Sequence, residues 1–72
     1  TLNDLFSELL EEHELFQTMN QLQSLMKEIM PYMNGNQEIK NILMEAFIVL
    51  QNKDLKQMKH MIQKLNSIKK SD

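Results

Sequence analysis

Apolar residues fill the middle of the chain almost without interruption from Ile42 to Leu50, where Glu45 is the one charged position. This stretch contains no Gly or Pro, and it is too short to cross a bilayer, which takes about 20 apolar residues. At about 100° per residue it gives a broad apolar helix face, with Met44 and Ile48 on the opposite side. The pattern predicts a central helix that is covered on more than one side. The members of the broad face are Ile39, Ile42, Leu43, Ala46, Phe47, Val49 and Leu50.

Turn residues divide the rest of the chain. Pro31 cannot continue a helical hydrogen-bond ladder, and the Asn-Gly-Asn sequence at 34–36 is typical of a helix stop, a turn and a new N-cap. A second short turn at 52–54 offers Asp54 as the cap of a further helix. These signals predict helices over approximately residues 3–30, 37–51 and 54–69 within a single helical domain, 1–72. The third helix is amphipathic, and its apolar face comprises Leu55, Met58, Met61, Ile62, Leu65 and Ile68.

The predicted first helix is apolar in two directions. One apolar stripe covers residues 2–16, and a second runs over residues 15–33. In a straight helix the two point roughly 140° apart, which a drift of about 20° per heptad does not explain. Either one continuous helix faces two partners, or the helix breaks near residues 14–20, where residues 18–21 fit a capping box. We favour the continuous helix because no Gly or Pro marks a break and the segment is rich in helix formers.

A continuous first helix is much longer than the two that follow. At about 1.5 Å per residue it spans roughly 40 Å, against roughly 22 Å for each of the others, so these cover only its C-terminal half. The uncovered stripe predicts an interaction site, and a second copy related by a twofold axis is its simplest cover. A broken helix would instead let residues 2–14 complete a monomeric four-helix bundle. The predicted dimer interface comprises Leu2, Leu5, Phe6, Leu9, Leu10, His13 and Phe16.

The charge pattern changes this picture only slightly. The net charge is −2, and the eight basic residues are all Lys, which argues against a dedicated nucleic-acid binder. The acidic residues dominate positions 1–26 and the lysines dominate positions 53–70, a pattern typical of two solvated helix faces. The alternative is that the two ends attract each other, within one chain or between two. The alternative function is a nucleic-acid-associated regulator that uses the basic face of the third helix. Its candidate residues are Lys56, Lys59, Lys64 and Lys70.

Candidate chemistry is sparse. The chain has no Cys and only two His, and the acidic residues around His13 are adjacent in a helix and therefore point in different directions. We expect no catalytic residue, no metal site and no cofactor. No leader peptide or membrane span is recognised, so the expected location is the cytoplasm, and the Lys-, Asn- and Ile-rich composition suits an AT-rich bacterial or phage genome.

Together these patterns predict an all-α fold, a small antiparallel bundle of three helices with a long first helix, completed by dimerisation. The expected function is a non-catalytic protein–protein interaction module: a small adaptor, chaperone or regulator that recognises a protein partner through a helix face. Met44 and Ile48 are the partner-binding candidates, because they lie outside the predicted core and flexible Met side chains suit adaptable surfaces.

Overall fold

The computed structural model describes the backbone of residues 1–70 and the side chains of residues 1–69. All the regular secondary structure of the described part is helical: α1 spans Leu2–Ile29, α2 spans Gln37–Asn52 and α3 spans Leu55–Lys70. A short 3-10 helix, Met30–Met33, connects α1 to α2. The predicted all-α bundle with a long first helix is confirmed, and the observed bounds lie within one residue of the predicted ones.

The first helix is continuous, as we favoured from the sequence, and the alternative, a break near residues 14–20, does not occur. The Thr1 hydroxyl accepts a hydrogen bond from the Asp4 N–H at 3.3 Å and caps the helix start. Thr18, which a second cap would have used, is buried inside the helix. The α-helix ends at Ile29 because the Pro31 ring prevents the regular ladder, and the chain tightens into the 3-10 turn.

Side-chain caps set the two turns as predicted. The Asn36 carboxamide accepts from the Ile39 N–H at 3.3 Å at the start of α2, and Gly35 takes the left-handed conformation with φ of 80°. Before α3, the Asp54 carboxylate accepts from the N–H groups of Lys56 and Gln57 at 3.0 and 3.3 Å. Each cap satisfies backbone donors that the first turn of a helix leaves without an internal partner.

The Asp54 cap carries a testable stability effect. Asp54→Ala should lower the free energy of unfolding by about 1 kcal/mol, because two amide donors of α3 lose their acceptor. Asp54→Asn keeps an acceptor oxygen in place and should cost far less. Urea denaturation followed by circular dichroism measures both, and equal losses for the two variants would show that the cap is not what Asp54 contributes.

The core lies between the C-terminal half of α1 and the two shorter helices. Glu14 pairs with Lys59 at 2.7 Å and Glu28 pairs with Lys69 at 2.6 Å, so α1 and α3 run parallel with α2 antiparallel to both. These ion pairs are solvent-exposed and contribute only about 0–1 kcal/mol each. The main stabilisation comes from the buried apolar side chains Leu22, Leu25, Met26, Ile29, Leu43, Ala46, Val49, Met58, Met61, Ile62 and Leu65.

Candidate interaction surfaces

The N-terminal part of α1 projects beyond the rest of the bundle. Glu14 is level with the first turns of α3, where it meets Lys59, and every residue from Thr1 to Glu14 is exposed. We call residues 2–13 the overhang; at about 1.5 Å per residue it is roughly 18 Å long. The longest dimension of the molecule is 53 Å, about twice the length of a 16-residue helix such as α2. The bundle therefore leaves the overhang without tertiary cover.

One face of this region is apolar, and it extends past the overhang. Leu9, at its midpoint, is 60% exposed, and Phe16 is exposed although it is level with the bundle. Thr18, two residues later, is buried, so Phe16 is turned away from α2 and α3. We call this face the stripe. All seven residues of the predicted dimer interface lie on it or at its edge and are exposed: Leu2, Leu5, Phe6, Leu9, Leu10, His13 and Phe16.

The remaining faces of the overhang are acidic. Residues 2–13 carry four carboxylates and no lysine. Glu8 and Glu12 flank the stripe along one edge, since they lie within about 110° of Leu9 around the helix. The overhang is thus an acidic amphipathic helix, and its apolar face points away from its own bundle.

A second exposed apolar surface lies on α2. Met44 and Ile48 are 59% and 56% exposed and one turn apart, as their placement outside the core predicted. Phe47 was expected in the core, and this prediction is wrong, because the side chain is 58% exposed. Phe47 and Val49 lie about 160° apart around the helix, so the core that buries Val49 does not reach Phe47. The broad predicted face was wider than the arc that α1 and α3 cover.

Beside this patch, an open groove of about 760 Å³ runs between the C-terminal half of α2 and the N-terminal half of α3. Ile48 forms part of one wall, and the buried side chains of Val49 and Met61 reach its floor. The groove brings together three of the four predicted nucleic-acid candidates, Lys56, Lys59 and Lys64. The side chain of the fourth, Lys70, lies outside the described residues.

The charged groups around the groove are mostly basic. Glu45 is the one acidic residue of the lining, and its carboxylate lies 3.7 Å from the Lys64 ammonium group. Lys59 reaches Glu14 of α1, and His60 adds an imidazole. The lysine side chains of both pairs are about half exposed, so an incoming carboxylate can compete for their ammonium groups.

The described residues hold no group of three or more His, Asp or Glu side chains arranged to bind a metal ion. Among these same residues, no helix has the length and apolar character needed to span a membrane. Comparison with known proteins gives no match to this chain among family models, curated proteins or solved structures.

Proposed function

We propose that this chain is a non-catalytic helical protein–protein interaction module, an adaptor, chaperone or regulator of the cytoplasm, that acts as a homodimer through the stripe. The observation that carries the proposal is the stripe itself. A chain of 72 residues has a small core, yet this one leaves four Leu and two Phe exposed on one helix end. Apolar surface of this extent on one helix face is typical of an interaction site.

Two stripes form an interface of adequate size. Packing them face to face removes on the order of 1,000 Å² of surface in total, near the lower end for specific interfaces. The stripe is self-complementary about Leu9, the midpoint between Leu2 and Phe16. An antiparallel pair therefore places Leu9 against its own copy and Leu2 against Phe16, and a twofold axis closes the assembly.

The polar back of α1 favours the antiparallel arrangement over a parallel one. Beyond Phe16 the same helix face continues with Asn20, Gln23 and Lys27, all exposed. Parallel pairing would bring these side chains, including the two Lys27 ammonium groups, towards each other along the bundle. Antiparallel pairing sets the two bundles at opposite ends, so the contact is confined to the apolar segment.

The effect of salt on the affinity of the dimer should distinguish two ways in which copies could associate. The paired overhangs carry like charges, with Glu8 and Glu12 on the edge that meets the same edge of the partner copy. Raising NaCl from about 0.05 to about 0.5 M screens this repulsion and should tighten the dimer several-fold. Sedimentation velocity across a concentration series measures the change. Weakening with salt would instead indicate that the acidic overhang docks on the basic third helix of another copy.

The alternative function, a nucleic-acid-associated regulator, is supported by the exposed lysines of the groove. It is the weaker proposal because Glu14 and Glu45 lie among these lysines and no Phe, Tyr or Trp side chain lines the groove for base stacking. Titration of a short labelled DNA duplex at low salt tests it, and absence of binding would remove it.

A further inference from the structure

We infer that the groove between α2 and α3 is a second docking site, which takes an acidic amphipathic helix from a partner protein. The inference rests on the proposed function, since it names the kind of partner that the module recognises. In the dimer the stripe is already occupied by the second copy, so a partner needs another surface. The exposed apolar patch of α2 and the basic wall of α3 together provide one.

Charge complementarity identifies the occupant. Three lysines line the groove against one glutamate, and Lys56 has no carboxylate within 4.0 Å among the described residues. A partner that carries Asp or Glu on its flanks gains attraction from Lys56 and from the half-exposed Lys59 and Lys64. Such attraction steers association and sets orientation more than it raises affinity.

Apolar contact supplies the affinity and selects a helix. Ile48 rises from the groove wall, and Met44 continues the apolar surface one turn along α2. From Lys56 to Lys64 the opposite wall extends about 12 Å, or slightly more than two helical turns. A helix with large apolar residues at i, i+3 or i+4 presents its anchors at this spacing. Phe47 extends the same patch around α2 for a longer partner.

The same features disfavour a nucleic acid as the occupant. The chain has no Arg, and Glu45 within the groove repels a phosphate backbone. A phosphate backbone would leave Ile48 and Met44 exposed to water, whereas an amphipathic helix would bury them. Only an acidic amphipathic partner can both cover the apolar patch of α2 and pair with the lysines of α3.

A designed peptide pair tests the inference directly. The probe is a fluorescein-labelled helical peptide with Leu at i and i+4 spacing and Glu on both flanks; its control carries Lys in place of each Glu. Fluorescence anisotropy with the full chain should show binding of the Glu peptide and at least about tenfold weaker binding of the Lys peptide. Ile48→Ser and Lys56→Glu should each weaken the Glu peptide about fivefold or more. Lys40→Glu, the same charge change on α2 outside the groove, should leave binding unchanged.

Several outcomes overturn the inference, and they are separable from failure of the dimer. Equal affinity for the two peptides, or no binding of either, removes the acidic-helix site while sedimentation still reports on the dimer. Loss of binding in Leu9→Asp with no effect of Ile48→Ser would assign the peptide to the stripe. Displacement of the peptide by short duplex DNA, with tighter binding of the DNA, would assign the groove to nucleic acid.

Discussion

Leu9→Asp is expected to convert the proposed dimer into a monomer. In the proposed antiparallel pair the two Leu9 side chains would meet at the twofold axis, so the substitution, present in both copies, would place two carboxylates against each other in an apolar contact. Burying a charge without a partner is costly, and two like charges add repulsion. We expect the dissociation constant to rise at least about a hundredfold, equivalent to about 2.7 kcal/mol. Light scattering should then report the 8.6 kDa of one chain at concentrations where the parent chain is dimeric.

A matched control separates the interface from the overhang as a whole. Ser7→Asp adds the same charge to the same exposed segment, but position 7 lies about 160° around the helix from Leu9. It should leave the dimer close to the parent value. The bundle itself should stay folded in Leu9→Asp, since Leu9 is exposed and is not part of the core. A dimer that survives Leu9→Asp, or that Ser7→Asp disrupts equally, would place the interface elsewhere.

The second large effect concerns the core. Met58→Ala should remove most of the stability of the bundle, because Met58 has no exposed surface and belongs to the core that joins the three helices. Deleting a buried Met side chain costs about 2–5 kcal/mol. A core of this size supplies only about 3–5 kcal/mol in total. We therefore expect a largely unfolded chain at room temperature.

Met44→Ala is the control for this prediction, since it makes the same chemical change on a neighbouring helix at a position that is 59% exposed. Both substitutions gain the same helix propensity, so their difference isolates burial. Urea denaturation by circular dichroism, in the Leu9→Asp background to exclude association, should show a loss under about 0.5 kcal/mol for Met44→Ala. Similar losses for the two variants would contradict the assigned core.

Much of the architecture follows from local signals in the sequence. Asn36 and Asp54 each cap a helix where the pattern predicted, and Pro31 ends α1 through its missing N–H. The overhang could be predicted from the first helix alone, because its two apolar stripes point in different directions around the same helix axis. The angle between two stripes of one helix follows from residue spacing and does not depend on tertiary contacts.

Features that depend on tertiary coverage were harder to predict. Phe47 has the same character as its buried neighbours, and only the width of the arc covered by α1 and α3 decides its exposure. The left-handed Lys53, with φ of 56°, also has no local signal, since Gly or Asn is the usual residue there. The groove could not be predicted because it depends on how α2 packs against α3, which places Ile48, Lys56 and Lys59 in one lining. Residue spacing along one helix does not determine the width of a groove between two helices.

The lack of Cys allows disulfide trapping to test the pairing of two overhangs at single positions. Leu9→Cys should form a covalent dimer of about 17 kDa, twice the 8.6 kDa chain, rapidly under mild oxidation. A mixture of Leu2→Cys and Phe16→Cys chains should cross-link mainly to each other. Gln21→Cys, off the stripe, should remain monomeric in a denaturing gel. Equally slow cross-linking at positions 9 and 21, or homodimers alone from the mixture, would contradict the antiparallel dimer.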